Sequence, residues 1–471
     1  MSANSLVVCS HRGPYVFEQS GGGVTARRGG GGLIGAVAPV MERLGGTWIA
    51  SALTDGDRRV AAAAPNGREQ DGFTLRILDM PRDVHDLHYG VVSNEYLWFL
   101  FHYLFDVPSQ PVFDAHFERA WDAYRHVNDL YADAVASERG GRVVVVHDYH
   151  LMLVGTLIRR RRVRRPIVYF HHTPWCEPEY FGLLPEDVRT EILHGLLSYD
   201  VVGFHARRWA DAFGECCRRF LPGVRVTTTR VEFRRRQTRI IVSPVPIDVP
   251  RLQRDADGPL VEEWARRHDE ARGGRKLLVR VDRIDLSKNP VRGFLAFEQL
   301  LERRPRLARE VLFLALMYPS RLTVESYRRY YAECTRVVRR INDRFGEHEP
   351  VALHFEDDYQ RSLGAMRVYD VLLVNPIFDG LNLVSKEGAT ANRRDGVIVL
   401  SRNAGVFEEI GPATIAVNPF DVAETADAIE RALEMPRDER RRLSARARRL
   451  AQRSTPEGWA RAQLHAAGVA L

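Results

Sequence analysis

The sequence predicts an α/β protein made of two doubly wound units, and three observations indicate this. Short apolar runs of strand length alternate with helical patterns in both halves of the chain, which is typical of parallel sheets covered on both faces. A proline-containing segment, VSPVPIDVPRL (242–252), separates the two series. The chain has 471 residues, which is too long for one ordinary core, since a domain usually holds ~150 residues.

The first half predicts one Rossmann-like domain over residues 1–243. Its strand-like runs are SLVVCS, TWIAS, VVVVHD, PIVYFHH and VVGFHA. A glycine-rich loop and the helical pattern GLIGAVAPVMERL follow the first run. In EDVRTEILHGLLSYD the apolar residues recur at three- and four-residue spacing, which predicts another helix.

The second half predicts a similar domain over residues 244–454. Its strand-like runs are KLLVRVD, EVLFLALM, PVALHFE, VLLVNP and GVIVLS. The last segment, 455–471, predicts a helix that returns to the first domain. Two such domains facing across a cleft would bind ligands at the carboxyl ends of their strands.

Composition argues against several classes of protein. The chain is 45% hydrophobic and 27% charged, which is typical of a soluble protein, and no run approaches the ~20 apolar residues of a membrane span. The N-terminus lacks a basic, cleavable hydrophobic segment, so we expect a cytoplasmic location and no membrane partner. The 5 cysteines show no CxxC spacing, so we expect neither a disulfide framework nor a zinc site.

Lysine is almost absent, because Lys276, Lys288 and Lys386 are the only lysines among 68 basic residues. An ammonium is a compact charge that can rotate onto a phosphate, whereas a guanidinium is a rigid planar fork. Lys288 and Lys386 lie in the two motifs described next. The arginine-rich run 159–165 ends a predicted helix, where cations complement the dipole. We therefore expect no nucleic-acid partner and keep nucleic-acid binding only as an alternative.

The first motif, VDRIDLSKN, follows an apolar strand over 277–281. Asn289 and Pro290 predict a helix start, with Asn289 as the cap. The loop would place Arg283 and Lys288 at the carboxyl edge of a sheet, beside a helix N-terminus that already favours anions. This arrangement predicts a cradle for a diphosphate.

The second motif, DGLNLVSKE, follows a buried strand that ends at Pro376. Asp379 to Asn382 would open another helix, and Gly380 would allow close backbone approach. The amides of Leu381, Asn382 and Leu383 would point toward a ligand. Glu387 lies one helical turn beyond Leu383, so its carboxylate and that of Asp379 could accept hydrogen bonds from sugar hydroxyls.

Together these motifs resemble the trehalose-6-phosphate synthase family of retaining glycosyltransferases, family 20, which has the GT-B fold. The matching segments are SHRGP, GGLIG, YLWFLFHY, VHDYHLML, FHHTPW, VDRIDLSKN, YPSR, DGLNLVSKE and VNPFD. The resemblance implies glucosyl transfer from a nucleotide-glucose donor to glucose 6-phosphate, with retention of configuration. It implies no cofactor, no metal site and no covalent glycosyl-enzyme.

The resemblance also implies a role for individual residues. The implied acceptor-binding residues are Arg12, Trp48, Tyr89, Trp98, Asp148 and Arg321. The implied donor-binding residues are Gly32, Arg283, Lys288, Asp379, Gly380, Leu381, Asn382, Leu383 and Glu387. The implied catalytic residues are His172, Arg283, Lys288 and Asp379. Among these, His172 would contact the donor sugar, and Arg283 and Lys288 would neutralise the leaving diphosphate.

Three departures from the family pattern bear on the donor. His11 stands where the family usually has asparagine, SKN replaces the commoner SKG, and residues 172–176 read HTPWC where the family has HIPFP. These departures resemble an actinomycete branch that includes the validamycin-pathway pseudoglycosyltransferase. They favour GDP-glucose slightly over UDP-glucose, with base contacts expected from residues 354–359 and Arg283. A pseudoglycosyltransferase joining a GDP-cyclitol to an aminocyclitol phosphate and a non-catalytic nucleotide-sugar sensor stay open, as does a homo-oligomer.

Overall fold

The computed structural model describes residues 6–20, 23–322, 324–346 and 349–470. The chain divides into two compact units. The N-terminal unit consists of Met1–Val245 and Pro456–Leu471, and the C-terminal unit consists of Pro246–Thr455. Each unit is built on a sheet that is mostly or wholly parallel.

The N-terminal unit is organised around one large sheet and a separate hairpin. Its strands are β1 (Leu6–Cys9), β2 (Tyr15–Ser20), β3 (Gly23–Arg28), β4 (Gly46–Ser51), β5 (Arg68–Gln70), β6 (Phe73–Leu78), β7 (Val143–His147), β8 (Ile167–Phe170), β9 (Val201–Phe204), β10 (Arg225–Val226), β11 (Arg230–Phe233) and β12 (Arg236–Val242). The ten-stranded sheet has the order β10-β11-β12-β9-β8-β7-β1-β4-β6-β5. The strands from β12 to β6 run parallel, while β10, β11 and β5 add antiparallel edges. Strands β2 and β3 form the hairpin.

The helices of this unit cover the sheet between its strands. They are α1 (Gly32–Leu44), α2 (Asp55–Ala63), α3 (Arg82–His85), α4 (Trp98–Phe101), α5 (Ala115–Ser137), α6 (Val154–Arg160), α7 (Pro178–Phe181), α8 (Glu186–Leu196) and α9 (Arg207–Phe220). A π-helix spans Asp86–Leu97, and a 3₁₀ turn spans Tyr149–Leu151. The strands expected in the first half of the chain are confirmed. The hairpin, the π-helix and the antiparallel edges were not expected, because none of them has a strong apolar period.

The C-terminal unit contains a six-stranded, fully parallel sheet. Its strands are β13 (Lys276–Ile284), β14 (Val311–Pro319), β15 (Val351–His354), β16 (Val371–Val374), β17 (Val397–Ser401) and β18 (Ile415–Val417). Their order is β15-β14-β13-β16-β17-β18. The order reverses at β13, and ligands of open parallel sheets bind beyond the strand ends at such a reversal.

Helices cover both faces of this second sheet. They are α10 (Val249–Ala256), α11 (Pro259–Arg272), α12 (Pro290–Arg303), α13 (Leu307–Glu310), α14 (Glu325–Phe345), α15 (Tyr359–Val368), α16 (Leu383–Ala391), α17 (Phe407–Ile410), α18 (Val422–Glu434) and α19 (Arg437–Ala451). The strands expected in the second half of the chain are confirmed. Phe294 and Phe297 of α12 are fully buried against Phe313 of β14.

The last helix, α20 (Pro456–Ala466), belongs to the N-terminal unit. The indole N–H of Trp459 donates to the carbonyl of Ser243 over 2.9 Å, and its ring lies against Phe170. Within the described ranges, we find no helix that is both long and apolar enough to cross a membrane.

The arginine-rich run 159–165 makes many contacts inside the N-terminal unit. Arg159 pairs with Asp200 over 2.5 Å. Arg161 pairs with Asp129 and Asp133 over 2.8 and 2.7 Å. Since acidic neighbours neutralise these two arginines, the run contributes less positive charge to the surface than its composition suggests.

Candidate active site

Side chains expected in the site gather at the carboxyl edge of the N-terminal sheet, which we call the N-terminal edge. Strands β8, β7 and β1 are consecutive in this sheet. The residues that follow them therefore meet at one edge. These residues are His172 after β8, Asp148 after β7 and Arg12 after β1.

Arg12 and Tyr89 are in direct contact at this edge. Nη2 of Arg12 donates to the phenol oxygen of Tyr89 over 2.9 Å. The buried His11 ring stacks on Tyr89, with centroids 4.4 Å apart and planes inclined by 14°. Arg12 itself is exposed, so its guanidinium can bind an anion from solution in the bidentate manner typical of arginine.

The π-helix carries Tyr89 into this position and leads directly into Trp98. Such helices are rare and frequently mark functional sites. Trp98 is nearly buried, and its ring stacks on His102 with centroids 3.8 Å apart. Trp48 lies fully inside the core, where its indole N–H donates to Ser10 Oγ over 2.8 Å. Trp48 is therefore connected to this edge through Ser10, in the segment that carries Arg12.

Asp148 adopts a backbone conformation that is normally reserved for glycine, with φ 75° and ψ 166°. Its carboxylate accepts hydrogen bonds from the amides of Tyr149 over 3.0 Å and His172 over 3.3 Å. These bonds hold the unusual backbone and join the ends of β7 and β8. Strain of this kind concentrates at functional sites.

His172 is held as a neutral imidazole. Its Nε2 lies 3.1 Å from Nδ1 of His147, so that one ring donates a hydrogen bond to the other. Burial, with the nearby His205 and His147, holds the pKa of His172 well below 6.5. Burial also lowers the pKa of His147 to about 3. A neutral His172 can exchange hydrogen bonds with sugar hydroxyls without bringing a charge to them.

A second group lies at the carboxyl edge of the C-terminal sheet, which we call the C-terminal edge. Lys288 ends the 3₁₀ turn Leu286–Lys288 that follows β13. Its ammonium forms an ion pair with Asp379, which follows β16. The same carboxylate accepts a hydrogen bond from the side-chain amide of Asn382 over 3.1 Å. The two sequence motifs, 91 residues apart, therefore meet at one point.

Arg283 lies on β13, where it pairs in register with Tyr318 of β14. Its guanidinium is half-buried. Burial raises the pKa of the Tyr318 phenol, while the positive charge of Arg283 lowers it. The negative charge of Glu387 on α16 also raises the pKa of Tyr318. Tyr318 therefore interacts electrostatically with both Arg283 and Glu387.

Helix α16 begins with Asn382 as its cap. The Asn382 side chain accepts from the amide of Ser385 over 3.1 Å, with its own backbone at φ 85°. Leu381 is buried before it, and Gly380 allows close approach to the backbone. The free backbone N–H groups at the N-terminus of α16, beginning with that of Leu383, favour a negatively charged ligand group.

Glu387 lies one turn into α16 and is half-buried. Burial raises the pKa of its carboxyl to about 7. The group is therefore divided between its neutral and ionised forms near neutral pH. In the ionised form it is an acceptor for two hydroxyl groups.

Arg321 and Gly32 lie at the starts of other loops and helices. Nη1 of Arg321 bonds the fully buried Asp285 over 2.5 Å, and its backbone has φ 51°. The carboxylate of Asp285 thus fixes the direction of this guanidinium.

Gly32 is the first residue of α1 and follows Gly31, whose backbone φ is 112°. Glycine adopts such a positive φ without steric cost.

Helix α12 begins at Pro290 with Asn289 at the cap position, as expected, but the Asn289 side chain does not form the expected cap bond. Its backbone is left-handed, with φ 59° and ψ 39°, and it makes no side-chain cap bond. Instead the side-chain amide of Asn289 donates to the backbone carbonyls of Asn375 over 3.0 Å and Pro419 over 2.8 Å. Asparagine is among the few non-glycine residues that tolerate this conformation. This tolerance explains why SKN can stand in the place of SKG.

Sequence reasoning did not find the partners of the three lysines. Lys386 is 1% exposed and pairs with Glu409 over 2.7 Å, so it links α16 to α17. Lys276 bonds the carbonyl of Leu433. Neither partner has a motif of its own, since both contacts depend on tertiary packing.

Comparison with known proteins defines the class to which this arrangement belongs. Residues 4–468 match the model described as "Glycosyltransferase family 20". An Escherichia coli structure, "Trehalose-6-phosphate from E. coli bound with UDP-2-fluoro glucose", is 28% identical, covers 99% of this chain and 100% of that chain, and has a TM-score of 0.86. The fold is GT-B, with two Rossmann-like α/β domains.

The chain belongs to glycosyltransferase family 20. "Alpha,alpha-trehalose-phosphate synthase [UDP-forming] 2" of Aspergillus niger is 32% identical over 92% of this chain and 90% of the relative. "Validamine 7-phosphate valienyltransferase" of Streptomyces hygroscopicus subsp. jinggangensis is 30% identical over 98% of this chain and 94% of the relative. Some longer relatives are spanned over only 44% to 61% of their length.

Proposed function

We propose that the protein is a trehalose-6-phosphate synthase, which transfers glucose from a nucleotide-glucose donor to glucose 6-phosphate with retention of configuration. The observation that carries this proposal is the Lys288–Asp379 pair beside the N-terminus of α16. An ammonium and a helix N-terminus both attract a diphosphate, while the adjacent carboxylate suits sugar hydroxyls. One small region thus matches both halves of a nucleotide sugar.

In the proposed reaction, Lys288 and Arg283 bind the donor diphosphate and stabilise the negative charge that builds up as it leaves. The Lys288 ammonium exchanges its ion pair with Asp379 for one with the phosphates. The Asp379 carboxylate then accepts hydrogen bonds from the glucose. The acceptor hydroxyl attacks the anomeric carbon from the face of the leaving group. As the new C–O bond forms, the bond to the diphosphate breaks and the hydroxyl proton passes to a departing phosphate oxygen. Charge stabilisation of this kind is usually the largest contribution to catalysis.

The N-terminal edge supplies acceptor recognition in this proposal. Arg12 binds the phosphate of glucose 6-phosphate, with Tyr89 holding its guanidinium in place. Asp148 accepts from sugar hydroxyls, and neutral His172 contacts the transferred sugar. Arg321, which Asp285 fixes at the C-terminal edge, is also proposed to take part in acceptor recognition, because a guanidinium suits a phosphate.

We propose that GDP-glucose is favoured slightly over UDP-glucose. Glu356 and Asp357 lie exposed between β15 and α15, in the segment expected to contact the base. Guanine offers both a ring N–H and an amino group to a carboxylate, whereas uracil offers one N–H. The UDP-forming relatives make UDP-glucose the necessary comparison.

The test is to measure initial rates with UDP-, GDP- and ADP-glucose at fixed glucose 6-phosphate and to identify the product. We expect α,α-trehalose 6-phosphate, formed fastest with GDP-glucose. Absence of a disaccharide phosphate with every donor would refute the synthase proposal. In that case, product formation from a GDP-cyclitol and an aminocyclitol phosphate would identify a pseudoglycosyltransferase. Tight nucleotide-sugar binding without any product would identify a sensor.

A further inference from the structure

Arg280 is an unusual residue for its position in the fold. It lies in the middle of β13, between Val279 and Val281, and is fully buried. Strands of a parallel sheet covered on both faces are normally apolar throughout. A buried guanidinium is unfavourable unless it is paired and hydrogen-bonded. Its presence therefore points to a purpose other than core packing.

The guanidinium of Arg280 contacts the turn that carries Lys288 and two residues beside it. Nη1 donates to Oδ1 of Asn375 over 2.6 Å, and Nη2 donates to the backbone carbonyl of Lys288. Nη2 also lies 3.1 Å from Oδ2 of Asp282. One rigid fork thus joins the strand, the turn that carries Lys288 and the loop after β16.

The turn itself needs such support. Asn289, directly after Lys288, has a left-handed backbone. The backbone carbonyl of Asn289 accepts a hydrogen bond from the side-chain amide of Asn375 over 3.4 Å. Asn375 therefore contacts both Arg280 and Asn289. The backbone of Lys288 is thereby held from within the core, while its ammonium reaches Asp379 at the edge.

Helix α12 leaves room for this guanidinium at Gly293. A Cβ atom at that position would lie 2.7 Å from Nη1 of Arg280 and 3.4 Å from Oδ1 of Asn375. Glycine is less favourable than alanine inside a helix. The helix therefore carries a poor helix former where a better one would displace Arg280.

We propose that Arg280 is a positioning residue that acts through Lys288. It orients the turn so that the Lys288 ammonium meets the diphosphate of the donor, and it contacts no substrate itself. This inference rests on the proposed function for the identity of the ligand, a nucleoside diphosphate.

The experiment is a double-mutant cycle on the binding of UDP and GDP, measured by calorimetry on the full chain. Arg280→Met retains much of the side-chain volume and removes the fork. We expect it to weaken binding about tenfold, or ~1.4 kcal/mol. In a Lys288→Ala background the same substitution should have no further effect, because residues that act as a unit are not additive.

Arg367→Met is the matched control. Arg367 is another buried arginine of the C-terminal unit, which pairs with Glu262 and bonds the carbonyl of Ala256. We expect this variant to bind both nucleotides as the wild type does. Equal weakening by Arg280→Met in the wild-type and Lys288→Ala backgrounds would overturn the proposal, as would unchanged binding in Arg280→Met.

Gly293→Ala tests the same inference if Arg280→Met does not fold. It keeps every charge and displaces Nη1, so we expect a folded protein with weaker nucleotide binding. Wild-type binding in this variant would contradict the positioning role. Since binding is measured rather than turnover, failure of the synthase assay would leave this test intact.

Discussion

The two edges offer different chemistry to a ligand. The N-terminal edge is lined by aromatic and imidazole rings, and burial holds the pKa of His11, His147 and His172 far below the usual value. The C-terminal edge contains ion pairs instead, including Lys288–Asp379 and Arg321–Asp285. Rings without charge suit the faces and hydroxyls of a sugar, whereas paired ions suit a ligand that brings its own charge.

The difference shows how each edge is prepared before a ligand arrives. Rings are fixed by packing, so the N-terminal edge keeps its shape without a bound sugar. In the C-terminal edge Lys288 and Arg321 already have carboxylate partners, and a phosphate that binds either cation would have to take over that position. Removing a cation there should therefore have a larger effect than removing any ring.

The largest expected effect is that of Lys288→Ala, which should reduce the rate at least ~100-fold, because loss of one preorganised cation removes a few kcal/mol of transition-state stabilisation. The measurement is kcat with saturating donor and glucose 6-phosphate. Lys276→Ala is the control, since Lys276 begins the same strand but bonds a backbone carbonyl. A rate close to wild type for Lys288→Ala would refute the role of this residue.

Arg12→Ala should raise the KM for glucose 6-phosphate about tenfold to 100-fold, because a hydrogen bond to a charged group contributes ~1.5–3 kcal/mol. The KM for the donor should change little. Arg119→Ala is the control, since this exposed arginine bonds the carbonyl of Ala115 in its own helix. An equal rise in both KM values would show that the N-terminal edge does not act on the acceptor alone.

The sequence predicted the C-terminal edge better than the N-terminal one. Strand, loop and helix succeed one another directly around Lys288 and Asp379, so local pattern was enough to place both at strand ends. Tyr89 lies on a π-helix. The spacing of apolar residues does not predict such a helix. Arg280 was also missed, since its contact with the Lys288 carbonyl exists only after the sheet and the turn have folded.

Glu387→Gln tests a different carboxyl of the C-terminal edge, one whose pKa is raised by burial. Burial raises its pKa from 4.5 to about 7. Its contribution to stability is thus complete below about 4.5 and is lost as the pH rises through about 7. The variant should be more stable than wild type at pH ~8, by about 1–2 kcal/mol after allowance for partial exposure.

At pH ~5 the two proteins should unfold at nearly the same temperature, because the wild-type carboxyl is then largely neutral in the folded state. Thermal unfolding at both pH values checks this, with the exposed Glu310→Gln as the control. We also expect weaker nucleotide binding in Glu387→Gln at pH ~8. A variant less stable than wild type at that pH would show that the carboxylate is favourably paired.

The last test of the comparison concerns His11, whose two ring nitrogens are buried without a hydrogen-bond partner. Burial, followed by His150, His88, His85 and Arg12, holds its pKa well below 6.5. Because the unfolded chain binds this proton more readily, the folded state loses stability as the pH falls below about 6.5. His11→Phe keeps the stack on Tyr89 and removes the titration.

Its stability should therefore fall less steeply than that of wild type between pH ~6.5 and ~5, by up to ~1.4 kcal/mol per pH unit. Thermal unfolding across this range is the measurement, and His126→Gln, on the exposed face of α5, is the control. If His11→Phe followed the wild-type curve, His11 would gain a proton without loss of structure. The N-terminal edge would then carry charge in acid, and its contrast with the C-terminal edge would hold only near neutral pH.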